Sequence, residues 1–154
     1  MADEQTKAGP LSMTSILIVD DDADVRQSLE SRLRSAGHRI QCAQNGKEAV
    51  GAFIRFYYDD PFDVILLDID LPDMNGCEIL KLIRQEEELR GIRTGYGVTV
   101  IMQTGLKESW MDAFNKGCDD YIIKPYSFQD LLGKIEQKIK ERKLNASSPD
   151  PQSP

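Results

Sequence analysis

The chain has 154 residues, a formal net charge of −7 and a hydrophobic fraction of 40 %, which suits one ordinary domain with a single core. Its acidity argues against direct nucleic-acid binding, which normally needs a basic surface, and against docking on an anionic membrane. The sequence has neither the ~18-residue apolar run of a membrane span nor the pattern of a secretory signal, so we expect a cytoplasmic protein.

Strand-like and helix-like patterns alternate along the chain between two polar segments. We expect a flexible tail over 1–13 and a disordered tail or linker stub over 144–154, with one folded domain over 14–143 between them. Short apolar runs predict five strands, over 15–19, 38–43, 64–67, 98–103 and 121–123.

Apolar residues at three- and four-residue spacing predict a helix after each strand, five in all. Gly37 is placed to end the first helix. The segment 45–48 is typical of a helix start with a reciprocal cap, and the third helix begins at about Gly76. The fourth carries Trp110, and the segment 127–130 has the pattern of a capping box that opens the last helix.

Consecutive strand–helix units predict an α/β fold, a doubly wound parallel sheet with helices on both faces. The first and third strands are the most apolar and should be central, which gives the strand order 2-1-3-4-5. Ligands bind such sheets beyond the carboxyl ends of the strands, at the switch point between strands 1 and 3. Asp20 and Asp21 follow strand 1 and Asp68 follows strand 3, so the fold should collect these acids in one place.

Clustered carboxylates repel one another, by about 4 kcal/mol for a pair at ~4 Å and an effective dielectric constant of 20. Such a cluster needs a cation or a proton, and Mg²⁺ prefers hard oxygen ligands together with a phosphate oxygen. An aspartate beside Mg²⁺ can attack a phosphorus centre and form an acyl phosphate. Thr104 and Lys124, at the ends of strands 4 and 5, could contact the phosphoryl group through a hydroxyl and an ammonium.

Each of these features has a simpler interpretation when it is taken alone. Three successive acids at 20–22 are typical of a helix cap, Asp68 could be a turn residue, and Lys124 a solvated lysine. The combination, with one feature at each of four strand ends, is far more specific than any single one.

The set of motifs closely resembles the receiver domain of two-component response regulators, of the chemotaxis-regulator kind. The matching segments are Ile16–Asp22, Asp68–Gly76, Thr104-Gly105 and Tyr121–Pro125, within a resemblance that spans about 14–143. The resemblance implies a flavodoxin-like fold and a phosphorylation-activated signalling switch, not an enzyme with its own substrate. It also implies a histidine kinase or a histidine phosphotransfer protein as the partner that donates the phosphoryl group.

The resemblance assigns a phosphoryl-accepting and metal-binding role to matching acids. Asp68 would accept the phosphoryl group and share the Mg²⁺ site. Asp21 would ligate Mg²⁺ directly, Asp20 mostly through a water, and the backbone carbonyl of Asp70 would be a further ligand. The side chain of Asp70 would influence how quickly the domain dephosphorylates itself.

The resemblance also implies a switch. Thr104 would hydrogen-bond the phosphoryl group and Lys124 would pair with it, and the bond to Pro125 would be cis. Tyr121 would turn into the space left when the loop after strand 4 moves, which changes the face made of the fourth helix, the fifth strand and the last helix. A partly buried aromatic without a switching role is the alternative for Tyr121.

Several alternatives stay open at this stage. The Asp68–Asp70 pair also matches the DxD motif of haloacid-dehalogenase-like phosphatases, although there the motif ends the first strand. A degenerate receiver that only docks a partner is a second alternative. The segments 55–61 and 86–97 look extended, and we interpret the latter as a surface loop. We expect a monomer or a weak phosphorylation-dependent dimer, either a stand-alone regulator or a domain of a larger protein.

Overall fold

A computed structural model of the chain describes residues 14–93, 95–105 and 117–147. Within these ranges the chain forms five strands and four helices. In chain order the elements are β1 (Ser15–Val19), α1 (Ala23–Ser35), β2 (Arg39–Ala43), α2 (Gly46–Arg55), β3 (Val64–Asp68), α3 (Gly76–Leu89), β4 (Thr99–Thr104), β5 (Asp120–Ile123) and α4 (Phe128–Ser147). The predicted helix that would carry Trp110 lies outside the described residues.

The five strands form one parallel sheet in the order β2-β1-β3-β4-β5. This is the predicted order, and the predicted doubly wound, flavodoxin-like fold is confirmed. All residues of β1, β3 and β4 are buried, whereas the edge strands β2 and β5 alternate or are only partly buried. The apolar runs of the central strands therefore follow from burial on both faces of the sheet.

Two hydrophobic clusters cover the two faces, as the period-two alternation of side chains in strands requires. Leu17 and Ile65 point toward the cluster that includes residues of α2 and α3. Ile16 and Leu66 point the opposite way, into the cluster formed with α1 and α4. Each fully buried aliphatic side chain contributes about 1.5–3 kcal/mol, so the two clusters hold the helices against the sheet.

The helix ends largely follow the predicted signals. Gly37 adopts a φ of 101° just after α1, a conformation that favours glycine. Asn45 accepts the Glu48 N–H at 2.8 Å, but Glu48 returns its carboxylate to the N–H of Gln44 and not to that of Asn45. The start of α2 is therefore capped from both sides, with a one-residue shift from the predicted reciprocal box.

The segment 86–97 is only partly a loop, which corrects the interpretation of the whole segment as one. α3 continues to Leu89 because its last turn has specific partners. Glu87 is buried, where it accepts the Val98 N–H at 2.6 Å and pairs with Arg84 at 2.8 Å. Arg90 closes the helix with a 2.8 Å ion pair to Glu86. The glutamates at 86 and 87 therefore support the helix, because each forms an ion pair with an arginine three or four residues away.

The last helix is longer than the sequence suggests. α4 runs to Ser147, so it continues into the first residues of 144–154, where no helix breaker precedes Pro149. Among the described residues, no helix is long and apolar enough to cross a membrane.

Candidate functional site

Four polar residues meet at the carboxyl edge of the sheet, each placed there by the end of a strand. Asp20 follows β1, Asp68 ends β3, Thr104 ends β4 and Lys124 follows β5. The side chains of Asp20 and Asp68 are almost fully buried, with whole-residue exposures of 1 % and 6 %, whereas Asp21 is exposed. The strand ends therefore bring together the acids, the hydroxyl and the cation that the sequence analysis singled out.

Three carboxylates lie close enough to share one ion. Asp20, Asp21 and Asp68 each offer an oxygen within 4.8 Å of the other two. All three donors are hard oxygens, two of them sheltered from bulk water, which is the kind of set that Mg²⁺ binds in phosphoryl-transfer sites. The residues present thus fit the ion that the sequence analysis named.

Lys124 lies between the two buried carboxylates. Its ammonium is 3.2 Å from Asp20 Oδ2 and 3.2 Å from Asp68 Oδ2. Burial would lower the pKa of Lys124, but the charges of Asp68 and Asp20 outweigh burial and raise it. Lys124 is therefore a permanent cation that offsets part of the repulsion between the acids.

Asp68 remains under electrostatic stress despite this cation. Its burial raises the pKa of the carboxyl, Lys124 lowers it and Asp20 raises it, with a net upward shift. The N–H of Asp70 also donates to Asp68 Oδ1 at 3.2 Å, which favours the ionised form. A carboxylate in this position gains from any further positive charge that enters the site.

The backbone around Asp20 is fixed by contacts that the sequence analysis missed. The N–H of Asp22 donates to Asp20 Oδ1 at 2.9 Å, and the Arg26 guanidinium donates to the Asp20 carbonyl oxygen at 2.7 Å. Asp22 in turn caps α1 by accepting the N–H groups of Asp24 and Val25. Asp22 is thus the helix cap of the acidic triplet, which leaves Asp20 and Asp21 for the site.

The loop after Asp68 is held by a close backbone approach. The N–H of Gly76 donates to the Ile69 carbonyl at 2.7 Å. A Cβ atom on Gly76 would lie 2.4 Å from the Asp68 carbonyl oxygen and 2.8 Å from Ile69 Cα. Only glycine fits here, so the loop folds back tightly and presents Asp70, whose side chain is exposed, at the rim.

The ends of β4 and β5 are joined beside the site. The Lys124 N–H donates to the Thr104 carbonyl at 2.7 Å, and the Lys124–Pro125 bond is cis. Tyr126 hydrogen-bonds Gln103 through its hydroxyl group. Burial, with the charges of Asp20 and Asp68, raises the pKa of Tyr126 to about 12. The sequence analysis predicted neither Tyr126 nor Gln103. The position of Tyr126 directly after the Lys-Pro pair is the one sequence signal that could have indicated it.

Tyr121 occupies the position expected of the switch aromatic on β5. It is half-buried against the cluster that includes α2 and α3, and the Lys134 ammonium lies 5.9 Å from its ring centroid. The segment 106–116, which would form the rest of the switching face, lies outside the described residues. The switching role of Tyr121 therefore stays a prediction.

Comparison with known proteins identifies the class of protein that this fold and site define. The sequence model of the response regulator receiver domain matches residues 16–136. That match covers most of the chain, and the chain belongs to the response regulator receiver domain family.

Solved structures of several receiver domains are similar to the chain. A CheY-like receiver domain protein from Methanospirillum hungatei shares 33 % identity over 86 % of this chain and 98 % of its own, with a TM-score of 0.71. A two-component response regulator from Clostridium difficile shares 32 % identity over 85 % and 98 %, with a TM-score of 0.68. The response regulator TrrA from Thermotoga maritima, solved in complex with Mg²⁺-BeF, shares 28 % identity over 82 % and 99 %, with a TM-score of 0.65.

Proposed function

We propose that the chain accepts a phosphoryl group on Asp68 from a phosphohistidine of a histidine kinase or a histidine phosphotransfer protein, in a Mg²⁺-dependent reaction. The observation that carries this proposal is the position of Lys124, 3.2 Å from both Asp20 and Asp68, with Asp21 completing the acidic cluster. This arrangement combines a nucleophile, metal ligands and a phosphate-binding cation within one site.

The transfer forms one bond and breaks another. An Asp68 carboxylate oxygen attacks phosphorus, the P–N bond to the donor imidazole breaks, and the departing nitrogen takes up a proton. Bound Mg²⁺ would neutralise charge on the transferring oxygens. Asp20, Asp21, Asp68 and the Asp70 backbone carbonyl would hold the ion, Asp20 mostly through a water.

The product is recognised by the two remaining strand-end residues. The Lys124 ammonium exchanges its contact with Asp68 for one with the phosphoryl oxygens, and the Thr104 hydroxyl donates to another of these oxygens. Movement of Thr104 toward the phosphoryl group shifts the population toward a state in which Tyr121 turns inward and the face around β5 and α4 binds a different partner. The chain then acts as a cytoplasmic switch, monomeric or weakly dimeric when phosphorylated, and dephosphorylates itself slowly.

Intact-mass spectrometry after incubation with acetyl phosphate tests the proposal. The wild-type chain should gain one phosphoryl group with Mg²⁺ and none without it. Asp68→Asn should gain none, and Asp59→Asn, which changes an exposed acid after α2, should behave like the wild type. Absence of any adduct under all conditions would favour the docking-only alternative. Steady turnover of a phosphate ester would favour the phosphatase.

The lifetime of the phosphorylated state provides a separate test of Asp70. Its exposed side chain stands at the rim of the site, where it can help or hinder the approach of water to the acyl phosphate. We expect Asp70→Asn to change the dephosphorylation rate. The rate is measured as the loss of the added phosphoryl mass over time. Equal rates in Asp70→Asn and wild type would remove this role.

We also propose that the receiver domain spans about 14–143, with α4 continuing to Ser147, and that 1–13 and the rest of 144–154 lie outside the domain. Limited proteolysis should cut outside this span first. Earlier cleavage inside it would contradict these boundaries.

A further inference from the structure

The loop between β3 and α3 is attached to a helix far away in sequence. Asp73, in the middle of this loop, accepts the Gly46 N–H through Oδ1 at 2.8 Å and the Lys47 N–H through Oδ2 at 2.9 Å. Gly46 and Lys47 are the first two residues of α2. The first N–H groups of a helix have no partner within the helix, and a carboxylate is favoured beside them. The same two N–H groups hold the pKa of Asp73 below its usual range.

The neighbouring residue strengthens this attachment. A Cβ atom on Gly46 would lie 2.5 Å from Met74 Cγ, so the Met74 side chain packs directly on the start of α2. Asn45, by contrast, caps the same helix from its own chain segment by accepting the Glu48 N–H. Asn45 and Asp73 therefore satisfy different N–H groups of one helix end, and of these two caps Asp73 is the one that belongs to the loop.

The other end of the loop is part of the candidate site. It begins at Asp68, includes Asp70, and returns through an antiparallel bridge between Asp70 and Asn75. Asp73 lies between the two bridge residues, so the attachment to α2 acts on the hairpin that carries the Asp70 backbone. Its effect on the acceptor site is geometric, because Asp73 itself contacts α2 and not the acidic cluster.

We propose that Asp73 is a positioning residue for the acceptor site, which fixes the β3–α3 loop against α2 and so holds the Asp70 backbone carbonyl in place for Mg²⁺. This inference rests on the proposed function, since it assumes that the cluster binds Mg²⁺. Residues that orient metal ligands without touching the metal typically change metal affinity ~10–100-fold when removed. Because Asp73 is exposed and acts through backbone, we expect an effect near the lower bound.

Calorimetric Mg²⁺ titration of Asp73→Ala, Asp73→Asn and Asn45→Ala tests the proposal. Asp73→Ala should weaken Mg²⁺ binding about tenfold, and Asp73→Asn, which keeps one acceptor oxygen, should fall between this variant and the wild type. Asn45→Ala is the matched control, because it removes a cap from the same helix end but leaves the loop attached. It should lower the stability of the fold while Mg²⁺ affinity stays within about twofold of wild type.

Two further readouts separate positioning from a purely structural role. Amide hydrogen exchange at Gly46 and Lys47 should accelerate in Asp73→Ala, which reports loss of the attachment itself. The rate of phosphorylation by acetyl phosphate should fall at low Mg²⁺ and recover at saturating Mg²⁺, because the defect lies in binding the ion.

Unchanged Mg²⁺ affinity in Asp73→Ala, despite faster exchange at Gly46, would overturn the proposal and leave Asp73 as a helix cap only. An equal loss of affinity in Asn45→Ala would also overturn it, because the effect would then come from α2 as a whole. A wild type that binds Mg²⁺ but takes no phosphoryl group would contradict the proposed function alone, because the effect of Asp73 is read from Mg²⁺ affinity.

Discussion

The ammonium of Lys124 lies 3.2 Å from Asp68 Oδ2, although the two residues are 56 positions apart in the chain. The contact exists because β3 and β5 end at the same edge of the sheet, separated only by β4. The same ammonium also contacts the buried carboxylate of Asp20, so one positive charge lies next to both buried acids. Its positive charge therefore offsets part of the repulsion between these two buried carboxylates.

Replacement of Lys124 by glutamine should affect metal binding and chemistry in opposite directions. Mg²⁺ affinity should rise, because the substitution removes a positive charge next to two of the carboxylates that we propose as ligands. Phosphorylation at saturating Mg²⁺ should slow by about two orders of magnitude, the usual effect of losing one group that stabilises developing charge. Calorimetry and time-resolved intact-mass measurements give the two quantities.

Lys138→Gln is the control, because Lys138 pairs with Glu141 on α4. This substitution should leave Mg²⁺ affinity and the phosphorylation rate unchanged. Weaker Mg²⁺ binding in Lys124→Gln would contradict the role given to its charge.

Asp68→Asn should stabilise the metal-free protein at pH 7 by about 1 kcal/mol, a normal size for a single substitution. The folded-state pKa of Asp68 is raised above its unfolded value, so its ionised form opposes folding. This penalty is fully present above the folded-state pKa and disappears as the pH falls through it, because the native protein then binds the proton. The stability gap between variant and wild type should therefore shrink on acidification.

Urea denaturation across this pH range measures the gap. Saturating Mg²⁺ should close or reverse the gap at pH 7, since wild type then gains binding energy that Asp68→Asn lacks in part. A gap that widens as the pH falls would contradict the assigned electrostatics.

Gly76→Ala and Gly133→Ala should have opposite effects on stability. An added Cβ at Gly76 collides with the backbone of Asp68 and Ile69, which cannot move aside, and we expect a loss of about 2–3 kcal/mol. At Gly133, in the interior of α4, the added Cβ meets no described atom within 4 Å beyond the local helix backbone, so alanine should add about 0.5–1 kcal/mol. Chemical denaturation of both variants checks the contrast, and a stable Gly76→Ala chain would contradict the close approach.

Glu87 should be far more important for stability than its neighbour Glu88. Truncation of Glu87 to alanine leaves the Val98 N–H without its acceptor and removes one of the partners of Arg84, at a cost of about 2–4 kcal/mol. Glu88 is exposed, and Glu88→Ala should change stability by no more than about 0.5 kcal/mol.

Both glutamates lie at the end of α3 remote from the acidic cluster. Phosphorylation of the folded Glu87→Ala fraction should therefore match wild type. Equal stabilities of the two alanine variants would contradict the anchoring role of Glu87.

Much of the fold was predictable because its signals are local. Runs such as 64–67 are continuously apolar, whereas a half-buried strand alternates apolar and polar residues. They therefore indicated central strands, and the strand order followed. The strand order then placed Asp20, Asp68 and Lys124 at one edge without any knowledge of side-chain geometry. The site could be assembled from sequence since each of its members directly follows or ends a strand.

The features that sequence reasoning missed depend on tertiary distance. Asp73 accepts the N–H groups of Gly46 and Lys47, which lie 27 and 26 positions earlier in the chain. No local sequence pattern predicts that contact. Glu87 belongs to a run of acids that is typical of a solvated surface, and only its approach to Arg84 and Val98 makes it a buried anchor. Such contacts are set by how elements pack, which residue spacing alone does not encode.

The most direct test of the account is to locate the phosphoryl group. After incubation with acetyl phosphate and Mg²⁺, borohydride reduction converts an aspartyl phosphate to homoserine, and peptide mass spectrometry identifies the position. We predict homoserine at position 68, with none when Mg²⁺ is omitted. Homoserine at Asp20, Asp21 or Asp70 instead, or reduction that does not depend on Mg²⁺, would contradict the assignment of Asp68 as the metal-dependent acceptor.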